Sequence, residues 1–178
     1  MLEKSPSTDL KDQVLLITGA TRGIGLTIAR AAAAEGARIV LIGKTATPHP
    51  RLEGTLTTAQ EEVEAAGGEA LALQCDIRDE TAVQASVAKA VAHFGGIDIL
   101  VNNASAIQLS DTITTSMKRF DLMHQVNMRG TFACGQACLP YLKDSERGGK
   151  ILTLSPPLNM EPQYFGPHLA YSMAKFGM

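Results

Sequence analysis

Five short apolar runs recur along the chain: QVLLIT (13–18), RIVLI (38–42), ALALQC (70–75), IDILV (97–101) and KILTLS (150–155). None shows the sustained apolar/polar alternation of a strand with one wet face, so each reads as a strand buried on both sides. Helical segments lie between them. GIGLTIARAAAAEG is alanine-rich and stops at Gly36, and TTAQEEVEAAGG ends in glycines. TAVQASVAKAVAHFGG spaces Val83, Val87, Val91 and Phe94 along one face, and a long helix is expected over 115–143. Strict alternation of buried strands with helices predicts a doubly wound α/β fold, a parallel sheet with helices on both faces. A proline-containing loop, GKTATPHPRLEG (43–54), is kept out of regular structure by Pro48 and Pro50.

A chain of 178 residues has room for one domain with a full core, and no composition shift marks a boundary within 1–178. The net charge of −2 excludes the basic excess of a broad nucleic-acid footprint. No run reaches the roughly 18 apolar residues of a membrane span. The start, MLEKSPSTDLKDQ, lacks the apolar core of a secretory signal. Cys75, Cys134 and Cys138 are odd in number and without paired spacing, so neither a disulfide framework nor a metal site is expected. These features together predict a cytoplasmic protein.

The sharpest local signal is TGATRGIG, which joins the first strand to the first helix with glycines at 19, 23 and 25. Glycines there allow a tight turn and close backbone approach, and the helix N-terminus presents free N–H groups. This is the form of a pyrophosphate cradle, and it assigns Gly19, Ala20, Thr21, Arg22, Gly23, Ile24 and Gly25 to a dinucleotide. GKT at 43–45 invites a triphosphate-loop reading, but that pattern needs a glycine where Arg38 stands and a helix where the proline loop follows. Lys44 has a better use. The end of the second strand lies beside the adenosine ribose, where an acidic residue favours NAD. Lys44, with Arg22 nearby, favours a 2′-phosphate and hence NADP(H).

With the glycine loop, NNAS (102–105), VNMRG (126–130) and YSMAK (171–175) in this order, the chain resembles the short-chain dehydrogenase/reductase family over essentially its whole length. The resemblance implies that Tyr171 is the acid/base and that Lys175 lowers its pKa and holds the nicotinamide ribose. It implies that Ser155 polarises a substrate carbonyl and that Asn127 anchors a water in the proton relay. Asp76 matches an adenine-contacting aspartate, with a helix N-cap as its alternative role. Asn102 is expected to lie by the cofactor. Chemistry supports the tyrosine role: a free phenol, with a pKa of about 10, is a poor proton shuttle near neutrality, and an ammonium one helical turn away favours phenolate. Two departures stand out. Ser105 replaces the glycine usual after NNA, and Ser-Pro-Pro replaces the usual serine pair, with a longer stretch than usual before Tyr171. His124 and His168 have no partner at identifiable spacing and read as bystanders.

The family's chain continues past Tyr171 through further strands and a segment covering the substrate. The sequence is therefore expected to be an incomplete single domain, with its fifth strand exposed at an edge and the Tyr171 helix frayed. The expected activity is hydride transfer between NADP(H) and an alcohol/ketone couple, in an enzyme that is homo-oligomeric when full length. Two alternatives remain open at this point: a catalytically silent dinucleotide-binding or interaction module, and an NAD-dependent epimerase of the same broad fold.

Overall fold

A computed structural model describes residues 10–48, 53–155, 159 and 161–178. Its five strands are β1 (Val14–Thr18), β2 (Arg38–Gly43), β3 (Glu69–Gln74), β4 (Ile99–Asn102) and β5 (Lys150–Thr153). They form one sheet in the order β3-β2-β1-β4-β5, every pair parallel. Between the strands run α1 (Gly23–Ala34), α2 (Leu56–Ala65) and α3 (Glu80–Phe94). The doubly wound class expected from the alternation is therefore what the chain adopts. The order reverses at β1, which pairs with β2 on one side and β4 on the other, and open α/β sheets bind ligands at the strand C-termini beside such a switch.

The pleat of β1 distributes its side chains to two cores. Leu15 and Ile17 join Ala29, Ala33, Ala59 and Val63 of α1 and α2. Val14 and Leu16 join Val83, Val87, Cys134 and Cys138 on the other face. The alanines of α1 let that helix sit close to the sheet. Burial pushes the Cys134 and Cys138 thiols up to about 12, so they are packing groups at neutral pH.

The strand starting near residue 97 begins instead at Ile99. Ile97 is still core, but Asp98 is occupied in holding β1, its Oδ2 accepting from Val14 N at 2.8 Å. β5 ends at Thr153 and leaves Ile151 and Leu152 half exposed, the edge that the sequence leads one to expect.

The long helix over 115–143 is composite. α4 (Met117–Met123) runs into a π-helical segment, His124–Gly130, and then into α5 (Thr131–Lys143). Gly130 lies against Ile77, so the helix approaches the loop after β3 closely there. After β5 come α6 (Pro162–Phe165), a 3-10 turn (Gly166–His168) and α7 (Leu169–Phe176).

The frayed Tyr171 helix expected from the sequence is not what forms. α7 buries Ala170, Ser172, Ala174 and Lys175, Phe176 packs on Phe165 with ring centroids 5.2 Å apart, and Gly177 meets Met128 of the π segment. Tertiary packing holds a helix that length alone would not. Part of the proline loop, including Pro50, and Pro156–Leu158 of the stretch before Tyr171 lie outside the described residues.

Candidate functional site

The C-terminal ends of β1 and β4 are locked together around Thr18. Its hydroxyl donates to Val101 O (3.4 Å) and accepts the N–H groups of Asn103 (3.1 Å) and Ala104 (3.0 Å). Asn103 in turn donates from Nδ2 to Thr18 O (2.9 Å) and Gly19 O (3.0 Å). This bracing explains two glycines. Gly19 has φ +67°, and a Cβ there would stand 2.8 Å from Ala104 Cα; a Cβ on Gly25 would stand 2.4 Å from Asn103 Nδ2. The next turn delivers the N-terminus of α1, where Arg22 supplies no side-chain cap, so its first N–H groups remain for a ligand.

Above this turn opens a cavity of about 580 Å³. Gly19, Thr21, Arg22, Ile24, Lys44 and Asp76 are among the residues that line it. Ala20 is fully buried in the core beneath, and Gly23 and Gly25 shape the turn. Asn102, expected beside the cofactor, instead sends Nδ2 toward Thr153 Oγ1 of β5 at 3.4 Å, and its Oδ1 is buried without a partner. Its neighbour Asn103 is the one on the cavity wall. Asn102 is the last residue of β4, whereas Asn103 lies just beyond it, where its Nδ2 is held by the carbonyls of Thr18 and Gly19.

One corner of the cavity is basic. Asp76 accepts from Arg78 Nε at 3.0 Å on both oxygens and from Arg78 Nη2 at 2.5 Å on Oδ2, and Lys44 Nζ stands 3.5 Å from the same Oδ2. The hydrogen bonds from Arg78 hold the Asp76 carboxyl down at about 2. The helix N-cap is Asp79, which accepts from Ala82 N; Asp76 does not cap. Arg22 is engaged more fully than its position in the glycine loop suggests. Its Nε bonds Glu53 O (2.8 Å), and its Nη2 bonds Thr45 Oγ1 (3.0 Å) and Gly54 O (3.2 Å). Arg78 is the residue that the sequence reading missed; an arginine two positions after Asp76 is its only signal.

At the other end of the cavity, Ala106 connects three features. It lines the cavity, packs, as Phe120 and Tyr171 do, against the Met123–Ala170–Ala174 cluster, and is bracketed by Asn127. Asn127 is fully buried in the π segment, with Oδ1 accepting from Ala106 N (2.9 Å) and Nδ2 donating to Ala106 O (3.0 Å). π segments of this kind occur often at functional sites. Lys175 is buried on α7 and donates from Nζ to Leu154 O at 2.5 Å, and burial lowers its pKa. Ser155 is exposed just past β5, its N–H bonded to Thr153 O at 3.1 Å. Tyr171, Lys175 and Ser155 are not among the residues that line the cavity. His124 bonds Phe120 O through Nδ1 and stacks on that ring, which accounts for it structurally. Among the described residues, no cluster of side chains suits a metal ion, and no helix is long and apolar enough to cross a membrane.

A parallel sheet with a glycine turn after its first strand, and a cavity at the switch between β1 and β4, defines a dinucleotide-binding α/β protein. The short chain dehydrogenase family matches residues 13–178, and the chain belongs to that family. It is 57% identical over 164 residues to hydroxysteroid dehydrogenase-like protein 2 of Homo sapiens, an alignment covering 92% of this chain and 39% of the relative. A crystal structure of a putative dehydrogenase from Xanthomonas campestris superposes with a TM-score of 0.91 at 55% identity, covering 95% of this chain and 62% of that one. A metagenomic short-chain oxidoreductase solved in complex with NADP has a TM-score of 0.82 at 31% identity, covering 96% of this chain and 73% of that one. The chain thus spans about two fifths of the length of the curated relatives it matches.

Proposed function

We propose that the protein is an NADP(H)-preferring oxidoreductase of an alcohol/ketone couple. The observation carrying this reading is the shared wall at Ala106. One residue borders the cavity, is held by Asn127 at both its backbone groups, and packs against the same Met123–Ala170–Ala174 cluster as Tyr171. The residues fit a nicotinamide dinucleotide: the turn leaves no space for a Cβ at Gly19 or Gly25, and the α1 N-terminus is open to the pyrophosphate. When bound, the nicotinamide supplies or accepts the hydride.

The chain's own groups do the rest. Gly19 to Gly25 hold the diphosphate, Asp76 meets the adenine, and Lys44 with Arg22 meets the 2′-phosphate. Lys44 is the more available of the two cations, since Arg22 is tied to the 53–54 backbone. Tyr171 moves the hydroxyl proton, and the Lys175 ammonium favours negative charge on the tyrosine oxygen while reaching the nicotinamide ribose. Asn127 keeps the cavity wall in register and anchors the proton relay; Ser155 polarises the carbonyl.

The absence of Tyr171, Lys175 and Ser155 from the cavity lining favours a second reading, a domain that binds the dinucleotide without turnover. Assaying the full-length protein for NADPH and NADH binding and for reduction of a carbonyl panel separates them. The primary reading expects turnover, tighter binding of NADPH, and a Lys44→Asp variant whose NADPH preference falls by about tenfold or more. Binding without turnover favours the second reading. An unchanged cofactor ratio in Lys44→Asp removes Lys44 from phosphate recognition.

A further inference from the structure

The basic corner holds one carboxylate between two cations, on very unequal terms. Arg78 grips Asp76 through Nε and Nη2 and adds its backbone N–H to Oδ1 at 3.1 Å. Lys44 makes only a looser ion pair with Oδ2 at 3.5 Å, with its side chain 60% exposed. A planar guanidinium fork matches a carboxylate better than a flexible ammonium does, so Arg78 is the partner that Asp76 keeps. Arg78 is itself fixed from the opposite side. Arg129 of the π segment donates from Nη1 to Arg78 O at 2.7 Å and pairs through Nη2 with Glu80 at 3.3 Å.

We infer that Arg78 is a positioning residue that determines cofactor specificity: by occupying both oxygens of Asp76, it leaves Lys44 available to an anionic group on the adenosine ribose. The inference rests on the reading that Lys44 faces the 2′-phosphate of NADP(H). Without Arg78, the Asp76 carboxylate draws Lys44 to itself, and the corner loses one of its positive charges. Both effects weaken binding of a ribose 2′-phosphate and leave the unphosphorylated ribose almost untouched. A second substitution, Asp76→Asn, removes the competitor and restores the charge balance.

The test uses the full-length protein and two probes that differ only in the 2′-phosphate, 2′,5′-ADP and 5′-AMP, with equilibrium binding measured calorimetrically. Arg78→Ala is expected to reduce the affinity ratio of 2′,5′-ADP to 5′-AMP by about five- to tenfold. In the Arg78→Ala/Asp76→Asn double variant, the ratio is expected to return to within about threefold of wild type. A merely structural role for Arg78 would weaken both probes together and would not be rescued by Asp76→Asn. Arg78→Gln carries the same comparison if Arg78→Ala does not fold. A wild-type protein that does not discriminate between the probes overturns the 2′-phosphate reading itself. Wild-type discrimination that persists unchanged in both Arg78 variants overturns the role of Arg78 alone.

Discussion

Replacing Asn127 by alanine removes both hydrogen bonds that hold Ala106, at 2.9 Å to its N–H and 3.0 Å to its carbonyl. Asn127 is fully buried in the π segment, whereas Ala106 is only partly covered, so water can reach some of what is exposed. Each lost bond therefore costs toward the lower end of the range for an unsatisfied group. Two of them, with the lost packing, come to about 2–3 kcal/mol. For a domain of this size the melting temperature falls by about 4–12 °C. The functional cost is larger, because Ala106 borders the cavity and packs against the same cluster as Tyr171. A displacement of about 1 Å there reduces turnover on the order of 100-fold. Asn127→Asp sharpens the test: it keeps an acceptor for the Ala106 N–H but sets a second oxygen against the Ala106 carbonyl, so it should be no better than alanine. Thermal melts of the full-length protein, with hydrogen exchange at the Ala106 amide, read the effect directly. An Asn127→Ala protein that melts within about 1 °C of wild type, protects the Ala106 amide and turns over normally would refute this reasoning.

Lys175→Ala should lower both cofactor affinity and turnover, since the proposed ammonium serves the ribose as well as Tyr171. Steady-state kinetics with direct binding measurements checks this, and a defect confined to turnover would count against the ribose contact. Asp76 gives a pH signature. Its carboxyl is depressed from an ordinary 3.8 to about 2, so its stabilisation is complete above about pH 4 and is lost as the pH falls through about 2. After allowing for solvent screening, that contribution is on the order of 1 kcal/mol. Acid unfolding curves for wild type and Arg78→Ala should differ in this window and run parallel above it.

The sheet was legible because its strands are apolar throughout and its helices carry the 3.6-residue period, and the glycine loop was legible because it falls at a strand-to-helix junction. Other features depend on contacts that the sequence does not display. No composition marks an i→i+5 turn, so the π segment around Asn127 was read as plain helix. The stability of α7 comes from Ala170, Ala174 and Lys175 packing on distant elements, which helix length cannot reveal. Asn102 and Asn103 are chemically identical neighbours, yet the first meets Thr153 of β5 and the second, just past β4, is held by the Thr18 and Gly19 carbonyls and lines the cavity. Arg22 and Lys44 read alike as cations, yet one is committed to the 53–54 backbone and the other is largely exposed.

In the proposed mechanism everything turns on Tyr171, which handles the substrate proton beside a bound nicotinamide dinucleotide. The most direct measurement compares wild type with Tyr171→Phe in the full-length protein, following NADPH oxidation with a carbonyl panel and NADPH binding in the same preparations. Removing only the phenol oxygen should leave NADPH affinity within about twofold, while turnover should fall by at least about 100-fold, the scale of a lost general acid. A Tyr171→Phe protein that binds NADPH normally and retains most of its turnover would contradict the claim.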